Sequence, residues 1–428
     1  MRASELKKYV AEGGVDNALL SECAVPEADL SKKRSRVEAC VDSFIALYGD
    51  REAYLFSVGG RSEVSGNHTD HNRGCVLAAA VNLDIIAVAS PTDDGTVRVK
   101  SEGFDEDVVT EKDVEAPRDD RKFTSAAIIA GMERAFLDRG YMAGGFVAYT
   151  VSNVLKGSGL SSSAAFEVMI GNILNHLYNG GTVDNATVAK MAQFAENVYF
   201  GKPCGLMDQM ACAVGGFIYI DFCDPAVPVI EKQDFDLSGA GYDLCITDTG
   251  GNHADLNEDY ASVPREMKAV AAYFGKEVLR QITMEELLSH TKEIREQLSD
   301  RALLRAFHFL SENERVAKQV KALKEGNVAE FFSNVTASGL SSFRYLQNVY
   351  TVKNVEEQGL SLALCLSERF LSDKGGAWRV HGGGFAGTVQ AFVPRAVTAE
   401  YKEFMEKTFG EGKCHVLRVR PAGAVRLV

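Results

Sequence analysis

Apolar residues return along this chain with two different periods, and the places where the period changes divide it into elements. Within the first 50 residues Val37, Cys40, Val41, Phe44, Ile45 and Tyr48 recur every three or four positions, as on the buried face of a helix. Residues 54–65 read as a strand, and a polar loop, GNHTDHNRG, follows at 66–74. Strands are expected over 76–90 and 97–100, with the acidic run 105–113 as solvated loop or sheet edge. A one-faced helix is expected at 125–139 and a strand at 144–151, which runs into KGSGLSSSAAF at 156–166. Beyond that turn Ala164, Ala165, Val168, Met169, Ile173, Leu174 and Leu177 restore the helical spacing. Another helix at 188–199 stops near Gly201, CGLMDQ occupies 204–209, and 215–222 is again strand-like.

Pro225 and Pro228 mark the expected border, giving domains 1–225 and 226–428. The second domain opens with a strand at 242–247 and turns helical. Thr283 and Glu286 make a capping box ahead of Leu287 and Leu288, and 301–323 keeps the helical period. Strands return at 377–381, 389–393 and 415–420 around a glycine cluster. The first half predicts a mixed sheet with helices, and the second a split β-α-β unit of the ferredoxin-like kind, so the fold class is α+β.

A chain of 428 residues with 46% apolar content is long enough for the two domains this pattern implies. The net charge of −13, with no Lys/Arg stripe, argues against nucleic acid or an anionic membrane surface as partner. Nine scattered cysteines contain no CxxC pair, which argues for reduced thiols in a cytoplasm over disulfides or structural zinc. The start, MRASELKKYVAEGG, has charges where a signal peptide needs an apolar centre, and Asn82 and Asp84 interrupt the longest apolar run, 75–90.

Four segments carry candidate chemistry. In KGSGLSSSAAF, glycines and small hydroxyl residues precede a helix, and the unpartnered first-turn N–H groups of a helix attract anions such as phosphate. GRSEVSGNHTDHNRG concentrates Arg61, Asn67, His68, Asp70, His71 and Asn72, a hydrogen-bonding set that suits sugar hydroxyls or an ordinary polar turn. No further His/Cys pattern supports a metal on His68, Asp70 and His71. In CGLMDQ, Asp208 lies within an apolar run, where a carboxylate needs a partner or a task. In HGGGFAGTVQAFV, Gly382, Gly384 and Gly387 fit GxGxxG, but the strand-like residues after them deny a Rossmann turn the helix it must open, which sets aside an oxidoreductase.

Taken in order, these motifs resemble the galactokinase branch of the GHMP small-molecule kinases. The family's GRxNLIGEHTDYNGG is matched by GRSEVSGNHTDHNRG, its GxGLSSSAS by GSGLSSSAA, and its GGGFGG by GGGFAG. Its AEN…CGIMDQ is matched by Ala195, Glu196, Asn197 and residues 204–209, and its ITNSxxxHxLxxxEY by residues 246–260. The resemblance implies an N-terminal domain like ribosomal protein S5 domain 2, a C-terminal ferredoxin-like domain, and ATP and sugar meeting between them. It further implies a sugar 1-kinase using ATP and Mg²⁺, cytoplasmic and monomeric, with a small-molecule sugar as its partner.

By the same resemblance Asp208 is the catalytic aspartate and Arg61 the arginine that keeps it ionised. Gly157, Gly159, Leu160, Ser161, Ser162 and Ser163 would cradle the ATP phosphates, with Gly383 and Gly384 closing from the other domain. Ser163 and Glu196 match the magnesium ligands, and His68, Asp70, Gly205 and Tyr260 match sugar contacts. Where the family has a glutamate directed toward O6 of the sugar, this chain has Asn67, and His71 replaces a tyrosine. A neutral amide still binds a hydroxyl, so galactose is permitted. Loss of the charge also admits galacturonate or another galacto-configured sugar. A non-catalytic sugar sensor is the remaining alternative, and the unbroken 161–165 run with every expected catalytic residue type argues against it.

Overall fold

The computed structural model describes residues 1–155, 159–251 and 256–428. Among these the strands form two sheets, one of eight strands and one of four. In chain order the strands are β1 (Tyr54–Ser65), β2 (Cys75–Pro91), β3 (Val97–Ser101), β4 (Glu106–Val109), β5 (Phe146–Ser152), β6 (Phe217–Asp221), β7 (Val229–Gln233), β8 (Tyr242–Asp248), β9 (Ala377–Val380), β10 (Thr388–Pro394), β11 (Cys414–Leu417) and β12 (Ala424–Arg426).

The first sheet runs β12-β1-β2-β5-β3-β4, and β6 pairs with the free end of β2 and carries β7. Helices cover both faces, which is why β2 reads as one long apolar run. On one face Leu55, Ile86, Val88 and Tyr149 meet Val37, Cys40, Val41 and Phe44 of the helix Leu30–Tyr48. On the other, Phe56, Val58, Ala87 and Ala148 belong to a core shared with the helices Ser125–Asp138, Ser162–Tyr178, Asn185–Phe194 and Met207–Val214. That core continues through Val316, Phe331 and Phe332 into Ile246 and Phe392 of the second sheet, so the two sheets share apolar packing.

The second sheet is antiparallel throughout, in the order β11-β8-β10-β9. By appearance in the chain this is 4-1-3-2, and helices connect β8 to β9 and β10 to β11. The expected split β-α-β arrangement is therefore present. The Thr283 capping box is also found: Glu286 N–H donates to Thr283 Oγ1 at 3.2 Å, and Thr283 N–H to Glu286 Oε2 at 2.7 Å.

The structure moves one of the expected features and adds detail to two others. Pro225 and Pro228 bracket the hairpin turn between β6 and β7, so the change of sheet comes after Gln233, and β12 at the chain's end returns to pair with β1. The acidic run 105–113 forms the edge strand β4 and enters the helix Glu111–Glu115, because Thr110 and Asp113 make a capping box hidden among the charges. The end of CGLMDQ is helical, Met207–Val214, and Asp208 sits in its first turn. No helix among the described residues is long and apolar enough to cross a membrane.

Two buried carboxylates fasten β1 at its two ends. Asp84, fully buried, accepts from Lys33, Ser57 and Arg36, the last at 2.6 Å, with Arg420 at 3.7 Å. At the far end Glu312 accepts from Ser65 Oγ at 2.9 Å and Gly66 N–H at 3.0 Å, and from Ser338 and Arg315. Burial pushes both carboxyls up, but the surrounding cations outweigh it and hold both below the ordinary range. Their stabilisation is therefore present above the unfolded value of about 4 and is lost progressively as pH falls below it. Replacing Asp84 by Asn strands Lys33 and Arg420 and is expected to cost about 3–5 kcal/mol, read from denaturant midpoints at pH 7. Between pH 5 and pH 3 the thermal midpoint of the wild type should fall more steeply than that of the variant. Parallel curves would remove Asp84 from this account.

Candidate active site

The middle of β1 is shaped for one side chain. Its pairing with β2 shifts register between Gly59 and Arg61 and again between Glu63 and Ser65, so residues 61–63 form a short section set off from both flanks. Arg61 from this section meets Asp208 in a two-pronged pair: Nε donates to Oδ1 at 2.8 Å and Nη2 to Oδ2 at 2.9 Å. The third prong, Nη1, donates to the carbonyl of Gly159. The Ser161 hydroxyl donates to Asp208 Oδ2. Burial pushes the Asp208 carboxyl up, yet the Arg61 charge and the hydrogen bonds from Arg61 and Ser161 hold it below the ordinary range. The Asp208 side chain keeps 33% of its surface open, so an ionised carboxylate remains accessible beside a fixed cation.

The glycine turn is moulded onto this pair. Gly159 has φ +74° and Ser161 φ +55°, a left-handed bend that points the chain into the helix Ser162–Tyr178. Ser161 stands at the N-cap position, but its hydroxyl goes to Asp208 and caps no N–H. Leu160 is buried in the core, and its carbonyl accepts from Arg61 N–H at 3.1 Å, so only its backbone belongs to the site. Gly157, expected in the same cradle, lies outside the described residues. Ser162 and Ser163 line a cavity of about 580 Å³ whose apolar wall includes Ile128, Val154, Phe166 and Phe200. Helix N–H groups at one end and an apolar slot behind suit a phosphate tail joined to a planar base.

Glu196 and Glu167 line the same cavity, and Gln209 Nε2 donates to both, at 2.8 Å and 2.9 Å. Burial, reinforced by the neighbouring charge of Glu196, raises the Glu167 carboxyl well above the ordinary range. Its Oε1 has no hydrogen-bond partner among the described residues. Ser163 and Glu196 thus offer hydroxyl and carboxylate oxygens to one space beside a phosphate cradle, which fits Mg²⁺. No cluster of three or more His, Cys, Asp or Glu side chains is placed to hold a metal among the described residues.

From the second domain the glycine cluster closes on the same cleft. A Cβ on Gly159 would lie 3.2 Å from His381 Nδ1, so the two glycine segments abut. The carbonyls of 382–384 are each tied down. Asn67 Nδ2 donates to Gly382 at 2.7 Å, His68 Nε2 to Gly383 at 2.8 Å, and the Tyr260 hydroxyl to Gly384 at 2.8 Å. His68 and Tyr260, expected as sugar contacts, therefore spend these donors on the loop between β9 and β10. Gly205 and Asp70 do face one another: a Cβ on Gly205 would come 2.7 Å from Asp70 Oδ2.

Asn67 is placed differently from its expected role. It is 1% exposed, and its second N–H donates to Glu63 Oε1 at 2.6 Å. Glu63 was not singled out from the sequence, although a signal was there: the resembled motif has asparagine where Glu63 stands and glutamate where Asn67 stands. Burial pushes the Glu63 carboxyl up to about 7 against the opposing charges of Arg379 and Arg61.

Residues 125–216 match the family model described as the GHMP kinases N terminal domain, and residues 42–91 the galactokinase galactose-binding signature. Over 396 residues the chain is 31% identical to a galactokinase of Streptomyces coelicolor, covering 90% of this chain and 97% of that one. Over 383 residues it is 30% identical to a galactokinase of Lactobacillus helveticus, covering 87% and 94%. The fold superposes on the crystal structure of Lactococcus lactis galactokinase complexed with galactose with a TM-score of 0.76 at 23% identity, over 91% of this chain and 100% of that one. The Methanococcus jannaschii mevalonate kinase gives a TM-score of 0.60 at 13% identity, over 86% and 98%. At those identities the likeness to both structures is one of fold.

The balance at Asp208 yields a test that needs no turnover. Replacing Arg61 by Met removes the largest opposing charge and leaves burial to act, so the Asp208 carboxyl should titrate at higher pH than in the wild type. Carbon NMR of labelled aspartates, assigned with Asp208→Asn, measures it. An unchanged titration would mean that Arg61 does not set the ionisation of Asp208.

Proposed function

The chain belongs to the galactokinase family, and from that premise we propose that it transfers the terminal phosphoryl group of ATP to the anomeric hydroxyl of galactose, releasing ADP and galactose 1-phosphate. One observation carries the assignment of roles: Arg61 bonds simultaneously to Asp208 and to the Gly159 carbonyl, which ties the proton acceptor to the phosphate turn through one guanidinium.

The work asked of the protein is alignment and charge neutralisation, because the transferring group carries its own negative charge and reacts through a loose transition state. The N–H groups at the start of the helix Ser162–Tyr178 hold phosphate oxygens, and the apolar slot takes the base. Asp208 accepts a hydrogen bond from the anomeric hydroxyl and orients its oxygen in line with the phosphorus. Because the carboxyl is held below the ordinary range, it is a weak base while the hydroxyl is intact. It takes the proton late, once bond formation has made that proton acidic. Arg61 keeps Asp208 ionised at the start and offsets negative charge building up at the turn. Ser163 and Glu196 would hold Mg²⁺, which would supply charge neutralisation at the phosphates. Gln209, whose amide donates to both Glu196 and Glu167, fixes where the Glu196 carboxylate points.

Purified protein with ATP, Mg²⁺ and galactose should release ADP in step with sugar phosphate. Absence of turnover on galactose, galacturonate, N-acetylgalactosamine and arabinose alike would refute the reading. Asp208→Asn should lower kcat by about 10³-fold or more while nucleotide affinity, from calorimetry, stays within about two-fold. Glu196→Gln should leave ATP binding without metal unchanged and weaken the gain in ATP affinity that Mg²⁺ confers. An equal gain in variant and wild type would remove Glu196 from the metal site.

A further inference from the structure

We propose that Glu63 takes over from Asn67 the reading of a sugar hydroxyl, and that its carboxylate makes the pocket reject sugars bearing a carboxylate of their own. The inference rests on the sugar kinase reading above and concerns which sugar that site admits.

Asn67 has no donor left to give. An amide carries two N–H groups, and here they go to Glu63 Oε1 and to the Gly382 carbonyl. Its Oδ1 accepts from Ser342 Oγ at 3.2 Å, and its own carbonyl accepts from His308 Nε2 at 3.2 Å. The residue is an internal strut between β1, the second-domain helices and the glycine cluster.

Glu63 is the reverse case. It is 6% exposed, one carboxylate oxygen is taken by Asn67, and no described residue bonds to the other. The section 61–63 contains no register shift, so side chains 61 and 63 leave β1 on the same face, the face on which Arg61 meets Asp208. Ser62 leaves on the opposite face, toward Gln390 at 3.1 Å. Asp70 and Asp208 are close enough to Glu63 for their charges to raise its carboxyl, against the larger opposing pull of Arg379 and Arg61. A carboxylate oxygen that no protein group bonds is an acceptor that a ligand hydroxyl can fill on binding. A galactose hydroxyl is such a donor. Arg61 is already committed to Asp208 and Gly159, so a uronate would set its own carboxylate against that of Glu63, which the amide at position 67 does not relieve.

The test is run at pH 8, above the range to which burial lifts Glu63. The wild type should favour galactose over galacturonate by about 100-fold or more in kcat/KM. Glu63→Gln keeps a hydrogen-bond acceptor and removes the charge, so that ratio should fall at least about ten-fold while the KM for galactose rises only a few-fold. Glu63→Ala should raise the galactose KM at least about ten-fold with kcat little changed. Across monodeoxygalactoses that penalty should vanish for the one sugar lacking the hydroxyl Glu63 reads. ATP affinity within about two-fold of wild type certifies each variant as folded. If Glu63→Ala does not fold, the selectivity ratio of Glu63→Gln decides alone. An unchanged ratio in Glu63→Gln, or an equal penalty for every deoxy sugar in Glu63→Ala, overturns the proposal, since a purely structural Glu63 would behave so. A wild type inert on all sugars overturns the kinase reading instead, and the two failures are told apart before any variant is made.

Discussion

The structure depends on holding a negative carboxylate and a positive guanidinium together in a half-buried cleft without letting them cancel. Two parallel hydrogen bonds fix Asp208 and Arg61 in one geometry, and the third prong of the guanidinium reaches the phosphate turn. Such a two-pronged pair is rigid as well as charged, which a lysine in the same place would not be. The pair is useful because it is incomplete: Asp208 retains an open face. Reactants that align against it find their charges already met by a fixed framework.

That framework is chiefly one strand. Along β1 lie Ser57, which joins the Asp84 cluster, then Arg61, then Glu63, then Ser65, which joins Glu312. The chain thus clamps β1 at both ends with buried ion clusters and shifts its register twice between them. Glycines make the close approaches possible. A Cβ on Gly60 would come within 2.8 Å of the Leu160 carbonyl, and one on Gly59 within 2.6 Å of the Val81 carbonyl. The active section of the strand is held by its surroundings more than by its own ladder, as expected where a sheet is bent to aim a side chain.

Much of this was legible in the residues. A near-continuous apolar run located β2, a strand-like stretch located β1, and the 3.6-residue period located the helix after the glycine turn, each nearly to the residue, because these elements are buried along most of their length. The ordered motifs located Arg61, Asp208, the serines and the second glycine cluster. Other features depended on pairing across long distances. Nothing local says that 229–233 continues the first sheet, because prolines punctuate hairpins and domain borders alike. His68 and Tyr260 were read as facing sugar, but the carbonyls of Gly383 and Gly384 claim these donors, across the two halves of the chain for His68 and within the second half for Tyr260. The Glu63/Asn67 exchange was in the sequence and was missed, since each residue was weighed at its own position. The two are four apart on a strand that turns into a loop, and only the 2.6 Å bond between them shows that they act as one unit.

The site also shows how one chemical group is given different tasks by counting the cations around it. Asp84 and Glu312 are fully buried, yet each faces several basic side chains and stays charged, serving as a fastener. Asp208 has one arginine and one serine, enough to remain ionised but with a face left over for a reacting hydroxyl. Glu63 feels Arg379 and Arg61 but hydrogen-bonds to neither, and burial lifts it to about 7. Glu167 has an amide on one oxygen and another carboxylate nearby, and is likewise lifted well above the ordinary range. The cost of burial is common to all five. What separates them is how much opposite charge lies within reach, and that is set by which strand or helix end delivers the arginine. A chain with an excess of acidic residues can therefore build an anion-handling cleft: it needs only a few cations, each committed to one carboxylate, with backbone N–H groups left to meet the phosphate.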